Sequence, residues 1–517
     1  MFRGAAAPRQ QDKLPMRQVI DSDACEGGCG RRRFLQWSAA AAGAMLSPQA
    51  IADAPGGSRP PNLVVYLADT LRADHLGCFG NRSPVSPFVD RLAAEGTLFE
   101  QCYSQASWTK PSIGSIFTGR LPQVHQAVVS AWDGVVEGTA RVQALRPSFK
   151  TLAERIEAQG YRTALFLSNP HVQREHGFAR GFQHYHFKAS EPPVQQLDFV
   201  LEWLQQHARE PFFLFVHAID PHAPYQPDEA GMRSLYGADA GELRNRLAPA
   251  DRELLEATER FFNPLPDAPR GDRVDLMGLS PEGRAYYQRL YDAEILRVDG
   301  EAQRLYEAID SLGVLDRTCF VFTSDHGEAF GEHGKFYHGN SVYDEELHVP
   351  LVIRGPGIQA GRRVEHTVAL FDLNPTLAEF AGAPPDDAAP ARPLLGPDGS
   401  LLADADRDVF SQCDYYSDDP AIWSTSLIRG AHKALRFGSA KSVEPALAGG
   451  IRVFDRAADP LEQAPAEPVA DTPGGRLAEA LSGAMARIAA EAETFGPSEW
   501  VTPQADDREA IEALGYL

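Results

Sequence analysis

No apolar run in this chain of 517 residues approaches the roughly 20 residues that a membrane-crossing helix needs, so a protein built on several spans is not expected. Cysteine is scarce. The six that occur show no CxxC spacing, which argues against thiolate zinc sites and dithiol redox chemistry. Long basic runs are missing from the body of the chain and the formal charge is −22, so a nonspecific nucleic-acid binder is not expected. No internal repeat is visible. What remains is an ordinary globular composition, 43% hydrophobic and 23% charged, at a length that suggests about two to four units, one of them large. The carboxylate excess serves solubility and also suits a site that holds cations.

At the N-terminus Arg31-Arg32-Arg33-Phe34-Leu35 leads into a short, mildly apolar stretch from Trp37 to Leu46, followed by small-residue cleavage positions at Ala50-Ile51-Ala52 and Ala52-Asp53-Ala54. The arrangement resembles a twin-arginine signal peptide over residues 1–52, with the twin-arginine export machinery as partner and a periplasmic or secreted destination. An uncleaved membrane anchor is the alternative. This segment holds seven basic and four acidic residues, so its loss makes the mature chain more acidic. Cys25 and Cys29 leave with it. Cys78, Cys102, Cys319 and Cys413 read as small buried residues, with one disulfide as the alternative in an oxidising compartment.

Continuous apolar runs at 62–68, 212–216, 318–323 and 349–353, with a further strand at 162–167, have the character of buried parallel strands, and 97–103 reads as a short strand. Helices are expected at 87–96, 148–159, 194–207, 281–312 and 370–381, each near a glycine, proline or capping signal. Alternation of the two types gives an α/β fold whose ligands gather at the carboxyl ends of the strands. Asp69 ends the first strand, and Asp325 and His326 end the run at 318–323. His222 falls in the proline-bounded turn after 212–216. Between them lies SWTKPSIGSIFTG at 107–119, where Thr109 is expected to cap a helix with Pro111 in its first turn. Residues 228–279 are polar and broken by glycine and proline, with one helical piece near 251–261, and read as an insertion forming a lid over the site. A Pro/Ala/Asp-rich stretch near 383–392 marks the end of a catalytic unit at 53–390. Short strands at 409–412, 424–429, 434–437 and 452–454 and a helix at 475–493 imply a smaller C-terminal α+β domain over 391–517.

Hard oxygen and borderline nitrogen donors at strand ends suit one divalent ion, with Zn, Mn, Mg and Ca all open. Such an ion bound by Asp69, Thr109, Asp325 and His326 would activate the Thr109 hydroxyl, too weak a nucleophile alone. His222 would donate to the substrate or the leaving oxygen, and Lys335 and His338, in the glycine-rich stretch 331–339, would hold anionic oxygens.

The order of PNLVVYLADTLRADHLGCFG, SWTKPSIGSIFTG, GYRTALFLSNPH, PFFLFVHAIDPHAPY, TSDHGEAFGEHG, YDEELHVPLVIRGPG and the closing ALGYL resembles the sulfatase family of the alkaline phosphatase superfamily. The resemblance implies an alkaline-phosphatase-like, mixed and largely parallel sheet flanked by helices. It also implies metal ligation by Asp69, Asp325 and His326, a nucleophile at Thr109, and substrate contacts from His222 and the Lys335/His338 region. Two positions depart from the family pattern. Thr109 and Ile113 stand where the family has Cys or Ser and then Arg, so conversion to formylglycine is not expected, and Thr70 stands where many members have a second Asp. With threonine as nucleophile, phosphodiesters and phosphonates are expected as substrates on a par with sulfate esters, carried by a small molecule, a glycan or a lipid headgroup. Two other readings are a phosphoethanolamine-type group transferase and a catalytically degenerate binder of anionic glycans.

Overall fold

Alternation along residues 62–68 seeds the architecture. Val64, Tyr66 and Ala68 pack into one apolar cluster and Leu63, Val65 and Leu67 into another, so this strand is buried on both faces. The computed structural model describes residues 60–129, 142–189, 191–262, 274–402, 407–413, 423–438, 449–496 and 500–502. In it this strand, β1 (Asn62–Ala68), lies inside an eight-stranded sheet with β2 (Thr97–Tyr103), β3 (Arg162–Leu167), β4 (His184–Phe187), β5 (Phe212–Ala218), β6 (Thr318–Ser324), β7 (His348–Arg354) and β8 (Arg362–Ala369). The order is β8-β2-β7-β6-β1-β5-β3-β4. Both pairings of β7 are antiparallel and all the others are parallel.

Helices cover both faces. α1 (Pro87–Glu95), α3 (Pro193–His207) and α5 (Pro281–Ser311) pack on the Val64/Tyr66 side, while α2 (Thr109–Thr118) packs on the Leu63/Val65 side through Ile113, Ile116 and Phe117. Among the described residues of the insertion, the irregular reading is corrected. Glu229–Tyr236, Ala240–Arg244 and α4 (Pro249–Phe262) are helical, the first two opened by Asp228 and Asp239, whose side chains cap the first turn. The helix expected at 148–159 is shorter, Leu152–Glu157. Thr151 and Glu154 form a capping box that fixes its start beyond Ser148.

A second, antiparallel sheet is built from β9 (Val409–Cys413), β10 (Ser424–Arg429), β11 (His432–Arg436) and β12 (Ile451–Asp455), with α6 (Pro473–Thr494) packed on it. It shares an apolar cluster with Tyr103, Leu347 and Phe371 at the end of the large sheet. Lys433, fully buried on β11, ties the two together by donating to Asp344 (2.7 Å) and pairing with Glu462 (2.8 Å). Cys78, Cys102, Cys319 and Cys413 are free thiols. No helix among the described residues is long and apolar enough to cross a membrane. The segment read as an export signal and the closing ALGYL lie outside the described residues.

Candidate active site

Four neighbouring strands, β6, β1, β5 and β3, deliver polar groups at their carboxyl ends, the edge where open α/β sheets gather ligands. Asp325 and His326 follow β6, Asp69 and Thr70 follow β1, His217 lies within β5, and Asn169 stands just beyond β3. The register aligns them, with Leu67 opposite His217, His217 opposite Leu167, and Ala68 opposite Ser324. Side chains alternate along a strand, so His217 shares the face of Phe213 and Phe215, the face on which α2 lies. Thr109 therefore starts its helix directly over this edge.

The expectation that Thr109 caps α2 is corrected. Trp108 occupies the cap position in extended conformation and Thr109 is the first helical residue. Its hydroxyl is drawn to the strand ends instead. Oγ1 lies 3.5 Å from Asp69 Oδ2, 3.3 Å from His326 Nε2, and accepts from Asn169 Nδ2 at 3.2 Å. Ser112, one turn on, donates to the Asp325 carbonyl at 2.7 Å and fixes the helix to the β6 loop. Ile113 is buried in the apolar cluster between α2 and the sheet, which leaves no room for a charged side chain there.

Asp69, Asp325 and His326 are wholly buried, and one ligand atom from each lies within 4.8 Å of the others. Burial, then the charge of Asp325, pushes the Asp69 carboxyl well above its usual range. Burial acts on Asp325 too, but His326 and His217 outweigh it and hold that carboxyl at about 2. Asp69 Oδ1, Asp325 Oδ2, Thr70 Oγ1 and both ring nitrogens of His217 are buried without a hydrogen-bond partner. Such orphaned donors and acceptors are costly unless something else binds them. His326 Nε2 stands 3.5 Å from Asp69 Oδ1 and 3.6 Å from Asp325 Oδ2, and His217 Nε2 stands 3.5 Å from Asp69 Oδ2. These gaps are too long for hydrogen bonds but match the roughly 3.4 Å between ligands that share one small divalent ion. His326 Nδ1–H is spent on the Gly327 carbonyl at 2.9 Å, leaving the Nε2 lone pair directed inward, as a ligating imidazole requires. The residues present thus fit a divalent cation.

A second wall carries His222 and His338. His222 and His338 have ring centroids 4.9 Å apart, and His338 is 4.5 Å from His326. His338 Nδ1 donates to Glu328 Oε1 at 3.1 Å, and Glu328 Oε2 accepts from Tyr225 at 3.1 Å. Burial, then His338, pulls His222 down to about 3, so its ring is neutral at ordinary pH. Lys335 is half-buried in the turn before His338, its carbonyl accepting from Gly331 N at 2.7 Å. Asn169 and His217 were not singled out from the sequence. Asn169 resembles a turn residue in LSNPH, whereas His217 could have been found from the period-two alignment with Phe213 and Phe215.

Comparison with known proteins identifies the family. The Sulfatase family model matches residues 61–383, more than half of the chain. The chain belongs to the sulfatase family. Among curated relatives, arylsulfatase K of Bos taurus is 25% identical over 63% of this chain and 63% of its own length, and iduronate 2-sulfatase of Homo sapiens is 27% identical over 62% and 69%. The chain thus spans under two thirds of the bovine relative. Among solved structures, the phosphonate monoester hydrolase of Agrobacterium radiobacter superposes with a TM-score of 0.63 at 20% identity, covering 86% of this chain and 100% of that one. A protein solved with its substrate D-glucosamine-2-N,6-O-disulfate gives 0.64 at 19% identity, covering 85% and 99%. Both show the same alkaline-phosphatase-like fold.

Proposed function

We propose that this family member is a metal-dependent hydrolase of sulfuric or phosphoric esters, phosphodiesters and phosphonates included, that attacks with the Thr109 hydroxyl. The observation that carries the reading is the position of Thr109 Oγ1, 3.3 Å from His326 Nε2 and 3.5 Å from Asp69 Oδ2, at the first residue of a ten-residue helix. Asp69, Asp325 and His326 would hold the cation, with His217 and Thr109 at its margin. When bound, the cation supplies Lewis-acid charge that acidifies the hydroxyl and offsets the oxygens of the ester.

The remaining work falls to the chain. Asn169 donates to Thr109 Oγ1 and so turns the hydroxyl proton toward Asp69 or His326. Asp69 Oδ2, 3.5 Å from Thr109 Oγ1, is the carboxylate oxygen placed nearest to that proton. The amide groups and dipole at the start of α2 favour the anionic oxygens of the substrate. His222, His338 and Lys335 form the opposite side. His338, oriented by Glu328, exchanges a proton with the leaving oxygen and then with water, and His222, neutral and with Nδ1–H donated to the Ala223 carbonyl, packs beside it. Lys335 contributes charge to the anion. A threonine ester has no aldehyde to collapse to, so water activated on this wall releases it, and formylglycine takes no part.

Export to the periplasm or exterior and a domain boundary near 390 belong to the same reading. The test is metal content of the purified protein, with hydrolysis of aryl sulfate, phosphate monoester, phosphodiester and phosphonate by wild type and Thr109→Ala. A stoichiometric divalent ion is expected, with activity lost roughly a thousandfold or more in the variant. Sulfatase activity that survives Thr109→Ala would move the nucleophile elsewhere.

A further inference from the structure

A cavity of about 630 Å³ opens between α4, α5 and the His222–Tyr225 turn, within the range typical of small-molecule sites. Tyr225, Leu255, Thr258, Phe262, Tyr286 and Tyr287 form its walls. Its chemistry is set by where the polar atoms go. The Tyr225 hydroxyl donates to Glu328 at 3.1 Å and that of Tyr286 to the Ala240 carbonyl at 3.3 Å, while that of Tyr287 faces the Tyr337 hydroxyl at 3.5 Å. The three rings therefore carry their polar ends in contacts with protein and contribute apolar surface to the cavity. Tyr225 and Tyr287 lie with centroids 4.8 Å apart and make a continuous aromatic wall.

The mouth carries Glu256, Glu259 and Arg260. These charges are compensated nearby. Arg244 grips Glu259 with two contacts of 2.8 and 3.0 Å, and Arg260 lies 3.9 Å from Glu256. The lining residues named here bring two carboxylates and one guanidinium to the mouth, a balance that disfavours a second sulfate or phosphate.

Tyr225 joins the cavity to the reacting wall. Its hydroxyl holds Glu328, Glu328 holds His338, and the His338 ring packs 4.5 Å from that of His326. The cavity is thus the apolar space beside the wall that faces the leaving oxygen, with Tyr225 and Glu328 between them.

We infer that the cavity between α4 and α5 binds the leaving-group portion of the ester substrate, and that this portion is an uncharged aryl or alkyl group rather than a multiply charged glycan. The inference rests on the hydrolase reading above and names the substrate class of that same site. Thr258, small and on the cavity wall, donates only to the Leu254 carbonyl of its own helix, at 2.9 Å. Thr258→Trp therefore fills the space without touching the catalytic groups.

The experiment compares a methyl ester and a 4-phenylphenyl ester of the same acid, using whichever acid wild type turns over, in wild type and Thr258→Trp. KM for the phenylphenyl ester is expected to rise roughly tenfold, with kcat/KM for the methyl ester within about twofold. Equal effects on both esters, or none on either, overturn the inference. Faster turnover of a trisulfated disaccharide than of the phenylphenyl ester by wild type also overturns it. Binding of the neutral fluorophore N-phenyl-1-naphthylamine gives a readout independent of catalysis. Wild type is expected to bind it, and Thr258→Trp to bind it roughly tenfold more weakly. Binding that Thr258→Trp does not change, or no binding at all, counts against the cavity. Selective loss in a protein that hydrolyses no ester keeps the cavity and removes the hydrolase reading. Circular dichroism checks that the variant folds, and Thr258→Leu, a smaller filling, takes its place if Trp is not accommodated.

Discussion

Asn169 donates from one amide group to Asp69 Oδ2 at 2.8 Å and to Thr109 Oγ1 at 3.2 Å, so a single side chain sets the distance between the carboxylate and the hydroxyl. Its own orientation is secured because Oδ1 accepts from the His171 amide at 2.9 Å. Its substitution tests positioning separately from folding. Asn169→Leu keeps the approximate shape, removes both donors, and takes from Asp69 an interaction that favours its charged form. The expected outcome is a fall in kcat of roughly tenfold to a hundredfold with KM changed by less than about threefold. Steady-state kinetics check it. A KM effect alone, with kcat unmoved, would assign Asn169 a merely structural role. Thr70 adds a second residue-scale feature. A β-branched residue at φ 61° sits in the left-handed region, a conformation that costs energy and persists only where neighbours enforce it.

The neighbour that enforces it is an element, α5. Tyr291, on its inner face, accepts from the Arg72 amide at 2.9 Å and donates to the Thr70 carbonyl at 2.7 Å, clamping the turn from Asp69 to Arg72 from outside the sheet. Tyr291→Phe leaves a buried carbonyl and a buried amide without partners. Thermal denaturation should show a loss of about 2 kcal/mol, and activity should fall more than the same loss in a remote helix would cause, because Asp69 begins the turn. Equal activity in a destabilised protein would detach α5 from the site. The elements legible in the sequence were those buried on both faces. The bounds of β1, β2 and β3 match their expected positions; β1 and β3 carry the near-continuous apolar run of a central strand, and β2 the Leu98-Phe99 and Cys102-Tyr103 pairs either side of Glu100-Gln101. β4 and β8 escaped notice because they are edges. Arg362, Arg363, Glu365 and His366 in β8, and His184 and His186 in β4, leave too few apolar residues for a run. The site divided along a similar line. Asp69, Asp325 and His326 announce themselves as polar residues that end apolar runs, whereas His217 lies inside one, and the contacts of Asn169 depend on a pairing of β3 with β5 that no local pattern encodes.

Across the whole molecule, buried histidines make folding depend on acid. Burial brings His125, His176 and His222 each to about 3. His125 shows why. Its Nδ1 accepts from the Ala127 amide at 3.1 Å while Nε2 faces the Pro111 carbonyl at 3.1 Å, so a proton added at Nδ1 would meet an N–H rather than an acceptor. The ring also lies beneath α2, where a Cβ placed on Gly114 would come within 2.7 Å of it. In the unfolded chain these rings take up protons below about pH 6.5, and in the folded chain only near pH 3. The unfolded state therefore binds more protons throughout that window, and stability is complete above it and lost as pH falls through it, by up to about 1.4 kcal/mol per unit for each ring. Glu346 and Glu462 act oppositely. Burial raises them to about 8 and about 7, so they withdraw stability as pH climbs from the ordinary carboxylate range toward those values. The two sets overlap between about pH 4.5 and 6.5 and leave clear limbs on either side. Melting temperatures from pH 3.5 to 8 should pass through a maximum inside that interval. His125→Gln should flatten the acid limb and leave the alkaline one alone, while Glu346→Gln should do the reverse. Parallel curves for wild type and His125→Gln would mean that acid lability begins elsewhere than beneath the helix that carries Thr109.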